Sequence, residues 1–170
     1  AMLKNTGVNI GKSVCDDGYK ELVEEILTKS TIHTCKIYYP LDVVTSETLD
    51  GSGLIKEISE VNDDDMILDI GPKTISLIKD VIKESNTVLW NGPAGYFENP
   101  NFANGTKKIL EIIADKKAKN KIYSVAGGGE TVAVINKFNK LESFNFVSTA
   151  GGAFLEYLEG KELPGITALK

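Results

Sequence analysis

Short apolar segments alternate with amphipathic segments along most of the chain. Four runs have the length and apolar content of buried strands: Met66–Ile70, Thr87–Trp90, Lys121–Val125 and Phe144–Thr149. Each is followed by residues at helical spacing, in segments that run from Pro72 to about Glu84, from Asn104 to about Lys117, from Glu130 onwards and from Gly151 to Leu158. Strands that alternate with helices predict a parallel sheet covered by helices on both faces.

The first third of the chain carries weaker signals. Helical spacing predicts a helix over Asp17–Lys29, and Cys35–Val44 has the character of a strand interrupted at Pro40. Residues 45–64 are polar and rich in turn residues, which predicts a loop with little core. The whole pattern predicts one α/β domain over residues 1–170, a three-layer α/β/α, Rossmann-like fold with a mainly parallel sheet of about five strands.

Each of the four later strands ends in a glycine turn that opens a helix. The turns are LDIGPKT (68–74), VLWNGPAGYFE (88–98), AGGGETVAV (126–134) and FVSTAGGAFLE (146–156). Glycine lets the backbone approach a ligand closely, and a helix N-terminus offers free N–H groups and a positive dipole end. Parallel strands place their carboxyl ends at one edge of the sheet, so the turns predict a single phosphate-binding, nucleotide-sized site.

Composition and charge narrow the choice of function. The chain has 170 residues, a net charge of −5, two cysteines and one histidine. Isolated Cys15 and Cys35 favour free thiols over a disulfide framework or a zinc site, and lone His33 disfavours histidine-based catalysis. The acidic balance disfavours a nucleic-acid partner, and no apolar run is long enough to enter a membrane as a helix. No signal peptide follows Ala1, which we interpret as a cloning remnant, so we expect a cytoplasmic location.

Two familiar nucleotide motifs do not match. Gly7–Ser13 has three residues before its Gly-Lys-Ser where a P-loop needs four, and no strand precedes it. No Gly-x-Gly-x-x-Gly occurs at the turns, which disfavours NAD. The glycines at 127–129, taken alone, fit close helix–strand contact as well as ligand binding. Glu130 and Thr131 either cap the helix or complete a Mg²⁺–nucleotide site, which needs a carboxylate and a hydroxyl beside the phosphates.

The four turns occur in the order found in phosphoglycerate kinases, and the chain resembles that family. The likeness includes YYPLDVV (38–44) and the ending LPGITALK (163–170), and AGGAFLE (150–156) is similar to a bacterial, alphaproteobacteria-like version. The resemblance is to the C-terminal, nucleotide-binding lobe, without its early Gly-Ala-Lys and Gly-Gly-Met segments and without the N-terminal lobe. It implies glycolytic phosphoryl transfer between 1,3-bisphosphoglycerate and ADP, giving 3-phosphoglycerate and ATP, with Mg²⁺ as cofactor.

The resemblance also assigns residues to the site. Asn91 and Gly92 would contact the outer phosphates, Glu98 the ribose, and Gly71 would lie near the base. Glu130 stands where most members carry the aspartate that contacts Mg²⁺. Gly151 and Gly152 would act in catalysis, by donating N–H groups to the phosphoryl group in flight. The remaining implied nucleotide-binding residues are Gly128, Gly129 and Thr131.

The partial match implies a limited activity. We expect the chain alone to lack kinase activity, with 3-phosphoglycerate bound only if an N-terminal lobe is supplied. The alternatives are a residual module that binds Mg-ADP or Mg-ATP and a non-functional remnant that still folds. Loss of neighbouring strands would expose sheet edges, which predicts self-association through such an edge.

Overall fold

The chain forms two compact units in a computed structural model that describes residues 1–15 and 18–169. The first unit holds residues 1–77 and 95–105, and the second holds residues 78–94 and 106–170. In the described part of the chain, no helix is long and apolar enough to cross a membrane. Cys15 and Cys35 form no disulfide bond, as the sequence predicted.

The first unit contains an antiparallel sheet. Helices α1 (Met2–Asn5) and α2 (Lys20–Ile32) precede it; the predicted helix start at Asp17 lies outside the described residues. The strands are β1 (Asp42–Ser46), β2 (Leu54–Glu57) and β3 (Met66–Ile70), in the order β2-β1-β3. Helix α3 (Pro72–Glu84) follows β3 and begins at the predicted proline.

Two predictions for this region are wrong. The first strand does not cover Cys35–Val44 but begins at Asp42, two residues after Pro40. Residues 45–64 are not a loop without core, because they contain β2 and a 3₁₀ turn, and Val61 is buried. A glycine turn that ends at Gly53, where φ is +74°, folds β2 back onto β1. The short strand carries two charged residues, which hid it from the apolar pattern.

A buried carboxylate from β1 caps α3. The Asp42 carboxylate accepts hydrogen bonds from the N–H of Lys73 at 2.9 Å and the N–H of Thr74 at 2.8 Å. Burial alone would raise the pKa of the Asp42 carboxyl, but these bonds and the Thr74 hydroxyl outweigh it and hold the pKa below its ordinary value. Gly71 leaves room for this contact, since a Cβ added there would stand 2.3 Å from Asp42 Cγ.

A second buried carboxylate, from β3, performs the same task at the start of α4 (Asn104–Ala118). Asp69 accepts the N–H of Gly105 at 2.8 Å and the N–H of Ile70 at 2.9 Å. Here burial dominates and raises the pKa of the Asp69 carboxyl. A Cβ on Gly95 or Gly105 would come within 2.5 Å of an Asp69 oxygen, so both positions require glycine.

The second unit contains the predicted parallel sheet. Its strands are β4 (Thr87–Asn91), β5 (Tyr123–Gly127) and β6 (Phe146–Val147), in that order. Helix α4 connects β4 to β5, and α5 (Gly129–Lys137) connects β5 to β6. Helices α6 (Gly152–Leu158) and α7 (Pro164–Thr167) follow.

The core of this unit lies between the sheet and its helices. Trp90 stacks on Phe144 with ring centroids 5.9 Å apart, and the fully buried core includes Ile113, Val134 and Ile135. The last strand is shorter than the predicted Phe144–Thr149, and Phe144 lies before it, buried in this core.

The α/β class with a parallel sheet is confirmed, but the count of about five strands in one sheet is not. The described residues form six strands in two three-stranded sheets, one antiparallel and one parallel. Strand β3 has the apolar character of a central parallel strand, yet it pairs antiparallel with β1. Apolar content predicted the strand correctly, while the direction of its neighbour depended on a hairpin that the pattern did not reveal.

Candidate functional site

The carboxyl ends of the three parallel strands meet at one edge of the second unit. Asn91 pairs with Gly127, and Ala126 pairs with Val147, so the strands end at the same level. The turns that follow them, at 91–93, 127–129 and 148–152, therefore lie side by side. The sequence predicted this juxtaposition from strand direction alone.

The first two of these turns are tied together by a buried hydroxyl. Thr131, in the first turn of α5, accepts the N–H of Gly92 through Oγ1 at 2.7 Å and is 0% exposed. The Asn91 side chain lies against Gly128, the N-cap of α5. A Cβ added to Gly128 would stand only 2.3 Å from Asn91 Oδ1. With φ at +95°, Gly128 also has a backbone conformation that favours glycine. The structure thus brings Asn91, Gly92, Gly128 and Thr131 together.

The glycines of these turns fall into two groups. Gly127 and Gly128 are in close contact with the protein, and a Cβ on Gly127 would stand 2.3 Å from the Phe154 ring of α6. A Cβ added to any glycine of the other group would have no atom within 4 Å; the members are Gly92, Gly129, Gly151 and Gly152. Within that open group, Gly129 and Gly152 also lack a positive φ. Neither backbone strain nor contact with the described residues explains glycine at those two positions.

The site offers hydrogen-bond donors and one carboxylate. The first N–H groups of an α-helix have no partner inside the helix, so those at the start of α5 are available at this edge. Gly151 is the N-cap of α6, and the Ser148 hydroxyl accepts the N–H of Ala150 at 3.3 Å. Glu130 is exposed in the first turn of α5.

A magnesium ion fits this donor set only together with a phosphate ligand. No group of three or more His, Cys, Asp or Glu side chains that could hold a metal occurs among the described residues. Mg²⁺ commonly takes one or two carboxylates and completes its shell with water and phosphate oxygens. Glu130 is a suitable single carboxylate for such a complex.

Two predicted site residues belong to the first unit. Gly71 is buried against Asp42 and donates its N–H to the Asp42 carbonyl at 2.9 Å. Glu98 is exposed, in the turn before the 3₁₀ segment Pro100–Phe102. Contact with the capping carboxylate already explains glycine at position 71. The nucleotide roles of both residues stay predictions.

Sequence reasoning missed a positioning residue. Thr106, in the first turn of α4, is fully buried and accepts the N–H of Ala94 at 3.0 Å. Together with Thr131 it fixes the turn after β4, at Gly92 and at Ala94. The sequence did contain a signal that could have found it: Thr106 and Thr131 each stand two residues after the first residue of their helix.

Known proteins resemble this chain along nearly all of its length. A family model described as phosphoglycerate kinase matches residues 1–161. The phosphoglycerate kinase of Francisella philomiragia is 44% identical over 170 residues, covering 99% of this chain and 42% of that protein. The phosphoglycerate kinase of Azorhizobium caulinodans is 41% identical over 166 residues, covering 96% of this chain and 42% of that protein.

A solved structure extends the likeness to the fold. The phosphoglycerate kinase of Coxiella burnetii superimposes with a TM-score of 0.90 at 37% identity, covering 99% of this chain and 43% of that one. The chain therefore spans less than half the length of the relatives it matches. With a family model that matches nearly all of its residues, the chain belongs to the phosphoglycerate kinase family.

Proposed function

We propose that the chain is a partial C-terminal nucleotide-binding domain of phosphoglycerate kinase, over residues 1–170, and that it binds Mg-ADP or Mg-ATP. The phosphates would lie at the carboxyl ends of β4, β5 and β6, against the N-terminus of α5. We further propose a cytoplasmic location, in keeping with glycolytic chemistry.

The observation that carries the proposal is the pair of glycines, Gly129 and Gly152, that the free protein does not need. Glycine at the start of a helix costs helix stability relative to alanine, up to about 1 kcal/mol in a helix interior. Both residues have ordinary backbone angles and open space around Cα. A ligand that approaches the backbone at van der Waals distance would account for them, and free N–H groups at that place suit a phosphate.

Individual residues of the chain would have separate roles in nucleotide binding. The Asn91 amide is the group at the end of β4 that can donate to an outer phosphate, because the Gly92 N–H is already bound to Thr131. Thr131 holds that turn in place, and its own hydroxyl proton remains for a phosphate oxygen. Glu130 would hold Mg²⁺, which neutralises phosphate charge when bound. Gly71 and Glu98 would contact the base and the ribose, with Gly128 and Gly129 along the phosphates.

The proposed reaction of the complete enzyme is phosphoryl transfer between 1,3-bisphosphoglycerate and ADP. Such transfers rely on positioning and charge stabilisation, and the N–H groups of Gly151 and Gly152 would stabilise the moving phosphoryl group. The chain spans 42% of its relatives' length, so we expect no transfer from these residues alone and no binding of 3-phosphoglycerate unless an acid-binding lobe is added. The relevant assay is 3-phosphoglycerate-dependent ATP consumption by the purified chain. Turnover above background would contradict this expectation.

Calorimetric titration with Mg-ADP tests nucleotide binding. We expect weak, saturable binding that Gly129→Ala reduces by at least about tenfold, equivalent to about 1.4 kcal/mol, because the new methyl occupies the approach to the backbone. The same variant should be as stable as the parent or slightly more stable, since alanine favours a helix.

Gly165→Ala is the matched control. Gly165 also has open space around Cα and an ordinary φ, but it lies in α7 and belongs to none of the three turns. It should leave the affinity unchanged. Absence of binding up to millimolar nucleotide would instead favour a non-functional remnant that still folds, and equal affinity of Gly129→Ala and the parent would refute the assigned site.

A further inference from the structure

Two asparagines of the chain are followed directly by glycine, at Asn91–Gly92 and at Asn104–Gly105. An asparagine before glycine is especially prone to deamidation, because no side chain on the next residue hinders attack by its backbone nitrogen. Both asparagines are exposed, so water can reach either side chain. The sequence alone gives the two pairs the same susceptibility, and the surroundings of the two glycine nitrogens distinguish them.

Deamidation proceeds in two steps that need only water. At the first pair, the Gly92 nitrogen would attack Cγ of Asn91, and the new N–C bond would close a five-membered imide. The side-chain NH₂ leaves with the displaced N–H proton as ammonia. Water then adds to either imide carbonyl and opens the ring to aspartate or isoaspartate. Because the nitrogen gives up its proton, negative charge develops on it during the attack, and any hydrogen bond that its N–H donates must break first.

The pair at Asn104 is protected in three ways. The Gly105 nitrogen is buried and donates its N–H to the Asp69 carboxylate at 2.8 Å. A negative charge on that nitrogen would therefore stand against a second negative charge. Asn104 is also the first residue of α4, and closing the imide would require it to leave the helical conformation. Burial, charge and backbone conformation all oppose deamidation here.

The pair at Asn91 is held by a neutral acceptor. Gly92 is half-buried and donates its N–H to the Thr131 hydroxyl at 2.7 Å. Thr131 lies in the first turn of α5, and the positive dipole end of that helix favours a negative charge on the Gly92 nitrogen. Asn91 ends strand β4, so ring closure does not have to break a helix. The protection of this pair therefore depends on the Thr131 hydroxyl.

We propose that Asn91 is a deamidation site of the folded chain, and that the Thr131 hydroxyl sets its rate by holding the Gly92 N–H. The covalent change is independent of nucleotide binding. Its consequence rests on the proposed function, in which the Asn91 amide donates to a phosphate. Aspartate or isoaspartate at position 91 would place a negative charge there and repel the nucleotide, so deamidation would inactivate the site.

Peptide mapping by mass spectrometry, after the folded chain is incubated at mildly alkaline pH, measures both pairs in the same sample. Asn91 should deamidate faster than Asn104, and both should react more slowly than in the urea-unfolded chain, where these contacts are lost. Equal rates at the two positions of the folded chain, or a faster rate at Asn104, would overturn the proposal. So would a rate at Asn91 that unfolding leaves unchanged, because the bond to Thr131 would then give no protection.

Substitutions at Thr131 test the hydroxyl itself. Thr131→Val removes the acceptor and should raise the rate at Asn91 by about three- to tenfold, the equivalent of one hydrogen bond, while the rate at Asn104 stays unchanged. Thr131→Ser keeps the acceptor and should deamidate at the parent's rate. A Thr131→Val variant with the parent's circular dichroism and the parent's rate at Asn91 would refute the role of the hydroxyl.

Thr106→Val is the matched control, because it removes a buried hydroxyl that accepts the N–H of Ala94 in the same turn but does not bind Gly92. It should leave the rate at Asn91 close to that of the parent. Equal acceleration by Thr106→Val and Thr131→Val would overturn the proposal, since general loosening of the turn would then be responsible. If Thr131→Val does not fold, the comparison of Asn91 with Asn104 in the parent still decides.

Discussion

Replacing Asp42 by asparagine isolates the contribution of a buried charge at the start of α3. The carboxylate is 1% exposed and accepts two backbone N–H groups, one on each oxygen. Asparagine has the same shape but only one acceptor, and its NH₂ group would face an N–H donor. Rotation away is blocked, because the Gly71 backbone lies against the carboxyl carbon.

The structure allows the loss to be estimated. A hydrogen bond to a charged group contributes about 1.5–3 kcal/mol, and one such bond is lost. A negative charge at a helix N-terminus adds about 0.3–1 kcal/mol, or up to ~2 when partly buried. We therefore expect Asp42→Asn to reduce the free energy of unfolding by roughly 2–4 kcal/mol at neutral pH. That is a large share of the ~5–15 kcal/mol of a typical domain.

The pH dependence gives an independent check. The pKa of Asp42 is lower in the folded protein than in the unfolded chain. Its stabilisation is therefore complete above the unfolded pKa, near 4, and is lost as the pH falls through the lower folded pKa. The difference in unfolding free energy between parent and Asp42→Asn should be constant above about pH 5 and should shrink below about pH 4.

Urea unfolding followed by circular dichroism, repeated across this pH range, measures both effects. Asp80→Asn is the control, since it removes the same charge from an exposed position in α3. It should cost less than about 0.5 kcal/mol at neutral pH. Equal unfolding curves for Asp42→Asn and Asp80→Asn at neutral pH would refute the assignment of Asp42 as the cap of α3.

Three further substitutions test other buried contacts by the same unfolding assay. Asp69→Asn should show the opposite pH trend: burial raises the pKa of Asp69, so the parent gains stability from this group as the pH falls toward the ordinary carboxyl pKa near 4, and the variant should lack that gain. Thr131→Val should cost about 1–2 kcal/mol because the Gly92 N–H loses its acceptor, whereas Thr131→Ser should cost less; equal losses would contradict the hydroxyl's role. Lys116→Met should cost about 1–2 kcal/mol because its ammonium donates to three carbonyls at the end of α3, and a variant as stable as the parent would show that water replaces it.

The later part of the fold was predictable because each strand there is mostly apolar in sequence and is followed by residues at helical spacing. Strand β3 and helix α3 occur where the pattern placed them, and β4, β5, α4 and α5 deviate by one or a few residues. The antiparallel sheet of the first unit was not predictable in the same way. Strand β2 is four residues long and half charged, and its position depends on Lys56 pairing with buried Asp65 at 2.6 Å.

The location of the candidate site was predictable from the sequence, but the side chains that pack against its glycines were not. Strand direction was enough to bring Asn91, Gly92 and Gly128 to one edge. The sequence could not distinguish a glycine that makes room for a neighbouring side chain, such as Gly71 or Gly127, from one that leaves open space. That distinction depends on Asp42 and Phe154, which lie far away in the chain.

The side chains that hold these turns in place all use the same interaction, a threonine hydroxyl that accepts a backbone N–H. This explains why threonine recurs after these glycine turns. Thr74, Thr106 and Thr131 each occupy the third position of a helix, and each is buried. Each hydroxyl accepts a backbone N–H from a separate stretch of chain: Leu41, Ala94 and Gly92, respectively. A helix start has donors to spare but no acceptor for a neighbouring N–H, and a threonine hydroxyl supplies one without adding charge. For Thr131 this means that the group holding the turn lies beside the group proposed to hold the phosphate. Its loss should therefore weaken nucleotide binding through the position of Asn91, even though the backbone donors of α5 remain.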